Sequence, residues 1–261
     1  MTNNTAATNT ATATVNPTRK NRPTGYVLHE NPNYVVIATM ETENPKTGNM
    51  VQIWILPAEM SPVDAVRSGN DDIVCFDCKH RGENGKNRTC YVKVFQAPLA
   101  VWNAWKRGKY PTLDARDFKY TFAGRKIRFG AYGEPVLIPI DIMRAIAGVA
   151  DGWTGYTHQW RHAEYREYRA LLMASCDSEG DRYTARYNGW RTFRVRTATD
   201  PLCKGEIACP ASDEMGHRTT CERCNLCDGT YAMDCRKDIA IIVHGSSAKK
   251  FINITTVSAA V

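Results

Sequence analysis

The residues best suited to chemistry are cysteines, of which the chain has ten. Cys75, Cys78 and Cys90 form a first group, in which a CxxC pair is separated from the third cysteine by eleven residues. The intervening segment KHRGENGKNRT is polar and contains Gly and Asn, so it can fold back and bring three thiolates to one metal centre. Three protein ligands leave a position open for a substrate or cofactor, whereas a fourth, such as His80, would close a structural zinc site.

A second and denser group lies nearer the C-terminus, where six of the ten cysteines fall between positions 203 and 235. Cys209 is followed, after eleven residues, by the run CERCNLC, which contains Cys221, Cys224 and Cys227. Four thiolates at this spacing suit a zinc site that folds an otherwise polar segment. They suit an iron–sulfur cluster equally well.

The sequence leaves the assignment of Cys209 open. It belongs either to the second group or, as a fourth ligand, to the first. In the latter case the remaining three thiolates would need another partner, and the candidates are Cys203, Cys235 and His217. Cys176 ends an apolar run, where a lone cysteine is usually a small core residue.

The composition favours a globular protein and excludes a disordered polymer. The chain has 261 residues, of which 43% are apolar and 23% charged, and 34 basic against 27 acidic residues give a net charge of +7. No stretch reaches the roughly 20 apolar residues of a membrane span, and the N-terminus lacks the apolar core of a secretory signal. We therefore expect a cytoplasmic protein without membrane association, whose cysteines bind metal rather than form disulfides.

The chain divides into a short leader and one domain. Residues 1–24 are rich in Thr, Asn and Ala and are predicted to be a disordered leader. Residues 25–261 are predicted to form a single domain that contains the cysteine-rich metal segment 203–235. The domain begins with the runs YVVIATM and MVQIWILP, which are separated by the turn-like ETENPKTGN and predict a β-hairpin.

Strand and helix patterns alternate through the rest of the domain. The pattern predicts helices in FQAPLAVWNAWKRG, PIDIMRAIAGVADG, EYREYR and SEGDRYTARYNG, and strands in KIRFGAY, TGYTHQW, ALLMASCD, WRTFRVRT, GEIACP and DIAIIVHG. This order predicts an α/β fold, a partial (β/α) barrel-like parallel sheet with an N-terminal hairpin and a C-terminal cysteine-rich insertion. In such folds the chemistry lies at the carboxyl ends of the strands.

The strand KIRFGAY leads into a short motif that, together with the cysteines, resembles a known family. The motif reads YGEP, with Gly133, Glu134 and Pro135 after Tyr132. A cysteine triplet, an amphipathic helix, a strand and then this motif resemble the radical S-adenosylmethionine superfamily, which carries a GGEP-like motif after its second strand. The usual cysteine spacing of that superfamily is CxxxCxxC. The chain is also similar to phage and plasmid proteins with CxxC…CY and CPAS…CxxCxLC segments.

The resemblance implies both a cofactor and an activity. It implies a [4Fe–4S] cluster on Cys75, Cys78 and Cys90, and S-adenosylmethionine whose amine and carboxylate chelate the iron that lacks a cysteine. Gly133, Glu134 and Pro135 would receive the amino group of its methionine moiety. The implied reaction is reductive cleavage of S-adenosylmethionine to start a radical modification.

Other residues are candidates for contact with a substrate. His158 and the carboxylates after ALLMASC lie at predicted strand ends, so His158 is a candidate acid or base; Ser178 with Asp181 equally predicts a helix N-cap. Arg194 and Arg196 share one face of a strand and could bind a carboxylate or phosphate, or simply be solvated. The segment from His244 to Ser247 is a weak candidate anion site.

Two classes of function follow from these observations. The first is an iron–sulfur protein of radical S-adenosylmethionine type that modifies an unidentified substrate, for which nucleic acid is one candidate because aromatic and basic residues interleave in VWNAWKRGKY and HQWRHAEYREYR. The second is a non-enzymatic, zinc-stabilised module of a phage or plasmid that binds nucleic acid or protein.

Overall fold

Nine strands form one sheet in the order β1-β2-β3-β4-β5-β6-β7-β9-β8. The structure is a computed structural model that describes residues 22–245 and 248–251. Most of the predicted leader, with Ser246 and Ser247 of the candidate anion segment, lies outside the described residues. The strands are β1 (Gly25–Glu30), β2 (Tyr34–Thr39), β3 (Val51–Pro57), β4 (Lys126–Tyr132), β5 (Gly152–Thr157), β6 (Met173–Cys176), β7 (Thr192–Arg196), β8 (Glu206–Ala208) and β9 (Asp238–Ile242).

The N-terminal part of the sheet is antiparallel. β2 and β3 pair as the predicted hairpin, and β1, which was not predicted, pairs antiparallel with β2. Every residue of β3 is buried, because its run of large apolar side chains lies between helices on one side and neighbouring strands on the other. The indole nitrogen of Trp54 donates to the hydroxyl of Thr39, 2.9 Å away, and joins the two strands.

The rest of the sheet is parallel. β3, β4, β5, β6 and β7 lie side by side in chain order, and β9 lies between β7 and β8. The prediction of a mainly parallel α/β sheet with an N-terminal hairpin is therefore confirmed. In the described part of the chain the two edge strands, β1 and β8, do not pair with each other.

Short α-helices connect the strands in the described part of the chain. They are α1 (Pro62–Ser68), α2 (Asp72–Cys75), α3 (Ala97–Lys106), α4 (Phe118–Phe122), α5 (Ile140–Ala147), α6 (Glu179–Tyr187) and α7 (Cys221–Cys224), and the EYREYR segment is a 3₁₀ helix at Ala163–Ala170. The hydroxyl of Ser178 accepts a hydrogen bond from the amide of Asp181 at 3.0 Å, so the predicted N-cap of α6 is confirmed.

The two faces of the parallel strands have different neighbours. On β4, Ile127 and Phe129 point into the apolar core beneath the helices, whereas Arg128, between them, lines a cavity on the other face. Thr154 and Tyr156 of β5 line the same cavity. Because alternate side chains of a strand point to opposite faces of the sheet, one face packs under the helices and the other is available for binding.

The segment between β7 and β9 contains little regular structure. Within 203–235 the structure has only the three-residue strand β8, a 3₁₀ turn and the four-residue helix α7. Six cysteines lie in this segment.

The prediction that Arg194 and Arg196 bind a carboxylate, rather than being solvated, is confirmed, and both carboxylates belong to the chain itself. Arg194 is 3% exposed and donates to the carboxylate of Glu206 at 2.6 and 2.8 Å, while Arg196 is paired with Glu214. Both guanidinium groups therefore anchor the cysteine-rich segment to β7. In the part of the chain described, no helix is long and apolar enough to cross a membrane.

Candidate functional site

A cavity of about 400 Å³ opens on the face of the sheet opposite the core. Its wall includes residues from β4, β5, β6, β7 and β9 and from the loops at their carboxyl ends. All seven cysteines predicted to bind metal line this cavity, and they are Cys75, Cys78, Cys90, Cys209, Cys221, Cys224 and Cys227. The fold therefore brings both groups, which are far apart in sequence, to one space.

The first group is positioned by a loop that folds back on itself. Cys75 ends α2, and the amide of Cys78 donates to the carbonyl oxygen of Cys75 at 3.1 Å. The carbonyl oxygen of His80 accepts hydrogen bonds from the amides of Thr89 and Cys90, at 3.1 and 2.9 Å. The predicted return of the polar segment, which brings Cys90 back toward the CxxC pair, is confirmed.

His80 anchors this loop to β6. Its Nδ1 lies 2.7 Å from the hydroxyl of Thr89, and its Nε2 lies 2.9 Å from Oδ1 of Asp177. Lys79 also pairs with Asp177, at 3.2 Å. Because both ring nitrogens of His80 are hydrogen-bonded, it could become the predicted fourth metal ligand only by giving up one of these bonds.

The GEP motif lies beside the first group. Gly133 has φ +80°, and a Cβ there would lie 2.5 Å from the carbonyl oxygen of Ile55, so only glycine fits without displacing β3. The amide of Glu134 donates to the carbonyl oxygen of Val74 at 2.7 Å. This bond joins the motif to α2, the helix that ends in Cys75.

The side chain of Glu134 faces the cavity. It is 4% exposed; Oε2 accepts a hydrogen bond from the amide of His158 at 3.2 Å, and Oε1 is buried and has no hydrogen-bond partner among the described residues. Burial raises the pKa of Glu134, and the charge of His158 partly offsets this effect. A buried carboxylate oxygen without a partner is costly unless a ligand satisfies it.

His158 completes the polar end of the cavity. Its Nδ1 lies 3.7 Å from Sγ of Cys78 and 3.9 Å from Oε2 of Glu134. Its Nε2 is buried without a hydrogen-bond partner among the described residues. The fold thus places the predicted acid or base within reach of the first cysteine group.

The second group is held by backbone hydrogen bonds to both sides of the cavity. The amide of Cys209 donates a hydrogen bond to the carbonyl oxygen of Ala240 in β9 at 2.8 Å. The amide of Cys221 donates to the carbonyl oxygen of Lys46 at 2.9 Å. The carbonyl oxygen of Cys227 accepts from the amide of Gly155 in β5 at 3.0 Å. The segment therefore extends across the sheet from β9 to β5.

The thiols repel one another within two separate sets. Burial raises the pKa of Cys75, and the nearby Cys90 and Cys78 raise it further. Burial raises the pKa of Cys227 as well, and a hydrogen bond with Tyr156 acts against this rise. The thiols that raise the pKa of Cys227 further are those of Cys209, Cys221 and Cys224. The thiol of Cys209 is therefore close to the thiols of Cys221 and Cys227.

The sulfur atoms are not in contact with one another as in a preformed mononuclear site. Among the described residues, no three cysteine sulfurs lie within 4.8 Å of one another. The only three potential ligands that do are His80, His158 and Asp177. The burial of Asp177 acts to raise its pKa, but the hydrogen bond from His80 and the charges of His80, His158 and Lys79 together outweigh this and hold the pKa well below the usual range.

Three of the remaining candidates lie outside the cavity wall, whereas His244 of the candidate anion segment lines it. Cys203 and Cys235 do not line it, and His217 pairs with Asp213 at the surface. Cys176 is fully buried in the core, as predicted. Sequence reasoning predicted His158 and both cysteine groups, but it missed the link from Asp177 to His80; the only signal for that link was the position of Asp177 at a strand end.

Comparisons with known proteins give no neighbour for this chain: no family model, no curated protein and no solved structure matches it.

Proposed function

We propose that the protein is an iron–sulfur enzyme of radical S-adenosylmethionine type, in which Cys75, Cys78 and Cys90 hold a [4Fe–4S] cluster. The observation that carries the proposal is the juxtaposition of these thiols with the GEP motif. Three cysteines after β3 and a motif after β4 share one wall of the cavity, and the amide of Glu134 is hydrogen-bonded to the helix that ends in Cys75.

We further infer that the parallel strands form a partial barrel and that 203–235 is an insertion with its own metal site. The cavity has wall residues from five parallel strands, as the concave face of such a barrel would. Cys209, Cys221, Cys224 and Cys227 supply four thiolates, a set that closes a metal site without leaving an open position.

Thiolates bind either zinc or an iron–sulfur cluster, and the two differ in the spacing of the sulfurs. Tetrahedral zinc with bonds of about 2.3 Å holds its sulfur ligands in van der Waals contact with one another. In a four-iron cluster each cysteine binds a different iron, so the sulfurs stand farther apart. Among the described residues no three cysteine sulfurs lie within 4.8 Å of one another, so binding of zinc would require the thiols to move together.

The residues around the first group have defined roles in this proposal. The unpartnered Oε1 of Glu134 would accept a hydrogen bond from the amino group of S-adenosylmethionine. His158, whose Nε2 is also unpartnered, would donate to or accept from the bound molecule and hold a proton near Cys78. His80 and Asp177 position the loop. A cluster held by Cys75, Cys78 and Cys90 would, once reduced from outside, supply the electron for reductive cleavage of the sulfonium C–S bond of S-adenosylmethionine.

Anaerobic purification followed by iron, sulfide and zinc analysis tests the cofactor. We expect a brown protein with about eight irons per chain if both groups hold a [4Fe–4S] cluster and about four if only the first does. A colourless protein that contains zinc and no iron would contradict the proposal and support the zinc-stabilised binding module.

An activity assay tests the reaction itself. Reduced protein should convert S-adenosylmethionine to 5′-deoxyadenosine, and Cys90→Ala should lower this rate at least about 100-fold. Cys176→Ala is the matched control, because Cys176 is buried in the core and does not line the cavity. A brown protein that forms no 5′-deoxyadenosine would contradict the assigned reaction. Its cluster would then serve for structure or electron transfer.

A further inference from the structure

The wall of the cavity near the second cysteine group carries two cations without a carboxylate partner. Arg128 of β4 donates a hydrogen bond to the hydroxyl of Tyr91 and lies opposite Thr154 in the register of β4 and β5. The backbone carbonyl oxygen of Lys46 accepts a hydrogen bond from the amide of Cys221. Neither Arg128 nor Lys46 forms a salt bridge within the part of the chain that the structure describes.

Two buried arginines of the domain differ in this respect from Arg128, which is half-buried. Arg191 pairs with Asp228 at 3.3 Å, and Arg194 pairs with Glu206 at 2.6 Å. Removing a guanidinium from water is costly unless an anion compensates it, and the protein supplies that anion in both of these cases. The half-buried guanidinium of Arg128 faces the cavity and has no such anion among the described residues, which points to an anion from outside the chain.

Among the described residues, no carboxylate of the cavity wall pairs with Arg128. The cavity wall contains only Glu134 and Asp177 as acidic residues. Glu134 accepts from the amide of His158, and Asp177 pairs with His80 and Lys79. Negative charge thus collects at the end with the first cysteine group, and positive charge at the end with Arg128 and Lys46.

The surface between these ends is apolar and partly aromatic. The rings of Tyr156 and Phe193 lie with their centroids 4.3 Å apart, and Val195 and Ile241 extend the same wall. A ligand that reaches from the first cysteine group to Arg128 would contact this surface along its length. Such a wall suits a planar or apolar body that carries an anionic group at one end.

We infer that the substrate of the proposed reaction is a small molecule with a carboxylate or phosphate group that Arg128 and Lys46 bind. Its apolar body packs on Tyr156 and Phe193, which places the opposite end toward Cys78 and His158. Arg128 presents a planar fork of donors that matches an oxyanion, and Lys46 adds a second charge. This inference rests on the proposed function and extends it by naming the chemical class of the substrate.

A different role for the two cations is to balance thiolates of the second metal site. Arg128 and Lys46 both act to lower the pKa of Cys221, so each is close enough to influence that thiol. If this were their only role, replacing Arg128 would change metal content or the visible spectrum and would leave the affinity for oxyanions unchanged. The two roles are therefore separable by experiment.

Calorimetric titration of the metal-loaded protein with inorganic phosphate and, separately, with benzoate tests the inference. We expect Arg128→Gln to weaken binding of the preferred anion by about tenfold or more, and Lys46→Gln by about threefold. Lys119→Gln, which removes the same charge from an exposed position of α4, should leave the affinity unchanged. Stronger binding of phosphate assigns a phosphate-bearing substrate, and stronger binding of benzoate assigns an aromatic carboxylate.

Labelling of arginines with phenylglyoxal, followed by peptide mass spectrometry, tests the same site in the unaltered protein. The preferred anion at about 10 mM should slow modification of Arg128 severalfold. It should not protect the exposed Arg116. Lack of protection of Arg128, or equal affinities of the wild type and Arg128→Gln, would overturn the inference. Anion binding by a protein that forms no 5′-deoxyadenosine would instead contradict only the proposed reaction.

Discussion

The two cysteine groups line the same cavity but differ in what surrounds them. The group of Cys75, Cys78 and Cys90 has three thiolates and lies beside two unpartnered polar atoms, Oε1 of Glu134 and Nε2 of His158. The C-terminal group has four thiolates, and its neighbours are backbone amides and Tyr156. An incomplete ligand set beside unsatisfied polar atoms suits the binding of a further molecule, whereas a complete set suits structural bracing.

The two groups also differ in how their backbones are held. Arg81 and Arg88 both pair with the buried Asp71, at 2.8 and 3.2 Å, and fix the loop of the first group without any metal. The cysteines of CERCNLC lie on and after α7, which has only four residues. A helix this short is not stable without tertiary support. If the second group holds a metal as proposed, we expect its segment to depend on that metal for folding more than the loop of the first group does.

The largest effect should follow removal of metal. When a chelator strips both sites, amide hydrogen exchange should rise by orders of magnitude in 221–227, because metal binding there contributes directly to folding. The loop from Cys78 to Cys90 should keep most of its protection through its ion pairs. Equal loss of protection in the two segments would show that they depend equally on metal.

Gly133→Ala tests whether the motif beside the first group is held by steric fit. Gly133 and Gly124 have φ angles of +80° and +73°, but only at Gly133 would a Cβ meet the backbone of Ile55, whereas nothing lies within 4 Å at Gly124. We expect Gly124→Ala to lower the free energy of unfolding by about 1 kcal/mol and Gly133→Ala by about 3 kcal/mol. Urea unfolding measures both; equal losses would show that the contact with Ile55 does not matter.

Asp177→Asn tests the connection of the first group to β6. The substitution removes the buried charge that faces His80 and Lys79, and we expect it to lower the free energy of unfolding by about 2 kcal/mol. Glu167→Gln is the control, because its pair with Arg144 is half exposed and should contribute less than about 0.5 kcal/mol. If the two variants lose the same stability, Asp177 does not anchor the loop.

The smallest effect concerns the acid stability of the ion pair between Glu206 and Arg194, which anchors the cysteine-rich segment 203–235 to β7. Burial acts to raise the pKa of Glu206, but hydrogen bonds from Arg194 and the amide of Cys203 outweigh it and lower the pKa. The stabilisation is therefore present above the unfolded pKa of about 4.3 and is lost as the pH falls through the folded value. Urea unfolding from pH 7 to pH 3 should show a shallower decline for Glu206→Gln than for the wild type. The exposed Glu43→Gln should retain the wild-type slope.

Local patterns predicted most of the fold. KIRFGAY coincides with β4, and WRTFRVRT and DIAIIVHG contain β7 and β9, because apolar runs bounded by glycine and polar residues identify buried strands. β1 was missed, since GYVLHE combines few apolar residues with two polar ones. The four- and five-residue helices α2 and α4 were also missed, because such short segments have no periodicity to recognise.

The site was predicted in its parts but not in its connections. Cysteine spacing identified seven residues that all line one cavity. Spacing could not assign Cys209, and strand parity indicated a carboxylate for Arg194 but could not name Glu206 as the residue that supplies it. The bond from His80 to Asp177 joins residues 97 positions apart, and no local pattern contains information about such a pair.

The sequence by itself determined which residues are capable of chemistry and which segments become strands, because both depend on side-chain type and on short-range periodicity. Only the tertiary structure decided which of those residues meet. Parallel pairing gathers the carboxyl ends of β3 to β9 at one face, and there it places Glu134 and His158 beside the first thiols and leaves Arg128 without a carboxylate. These relations depend on contacts between distant segments, which form only when the whole sheet assembles.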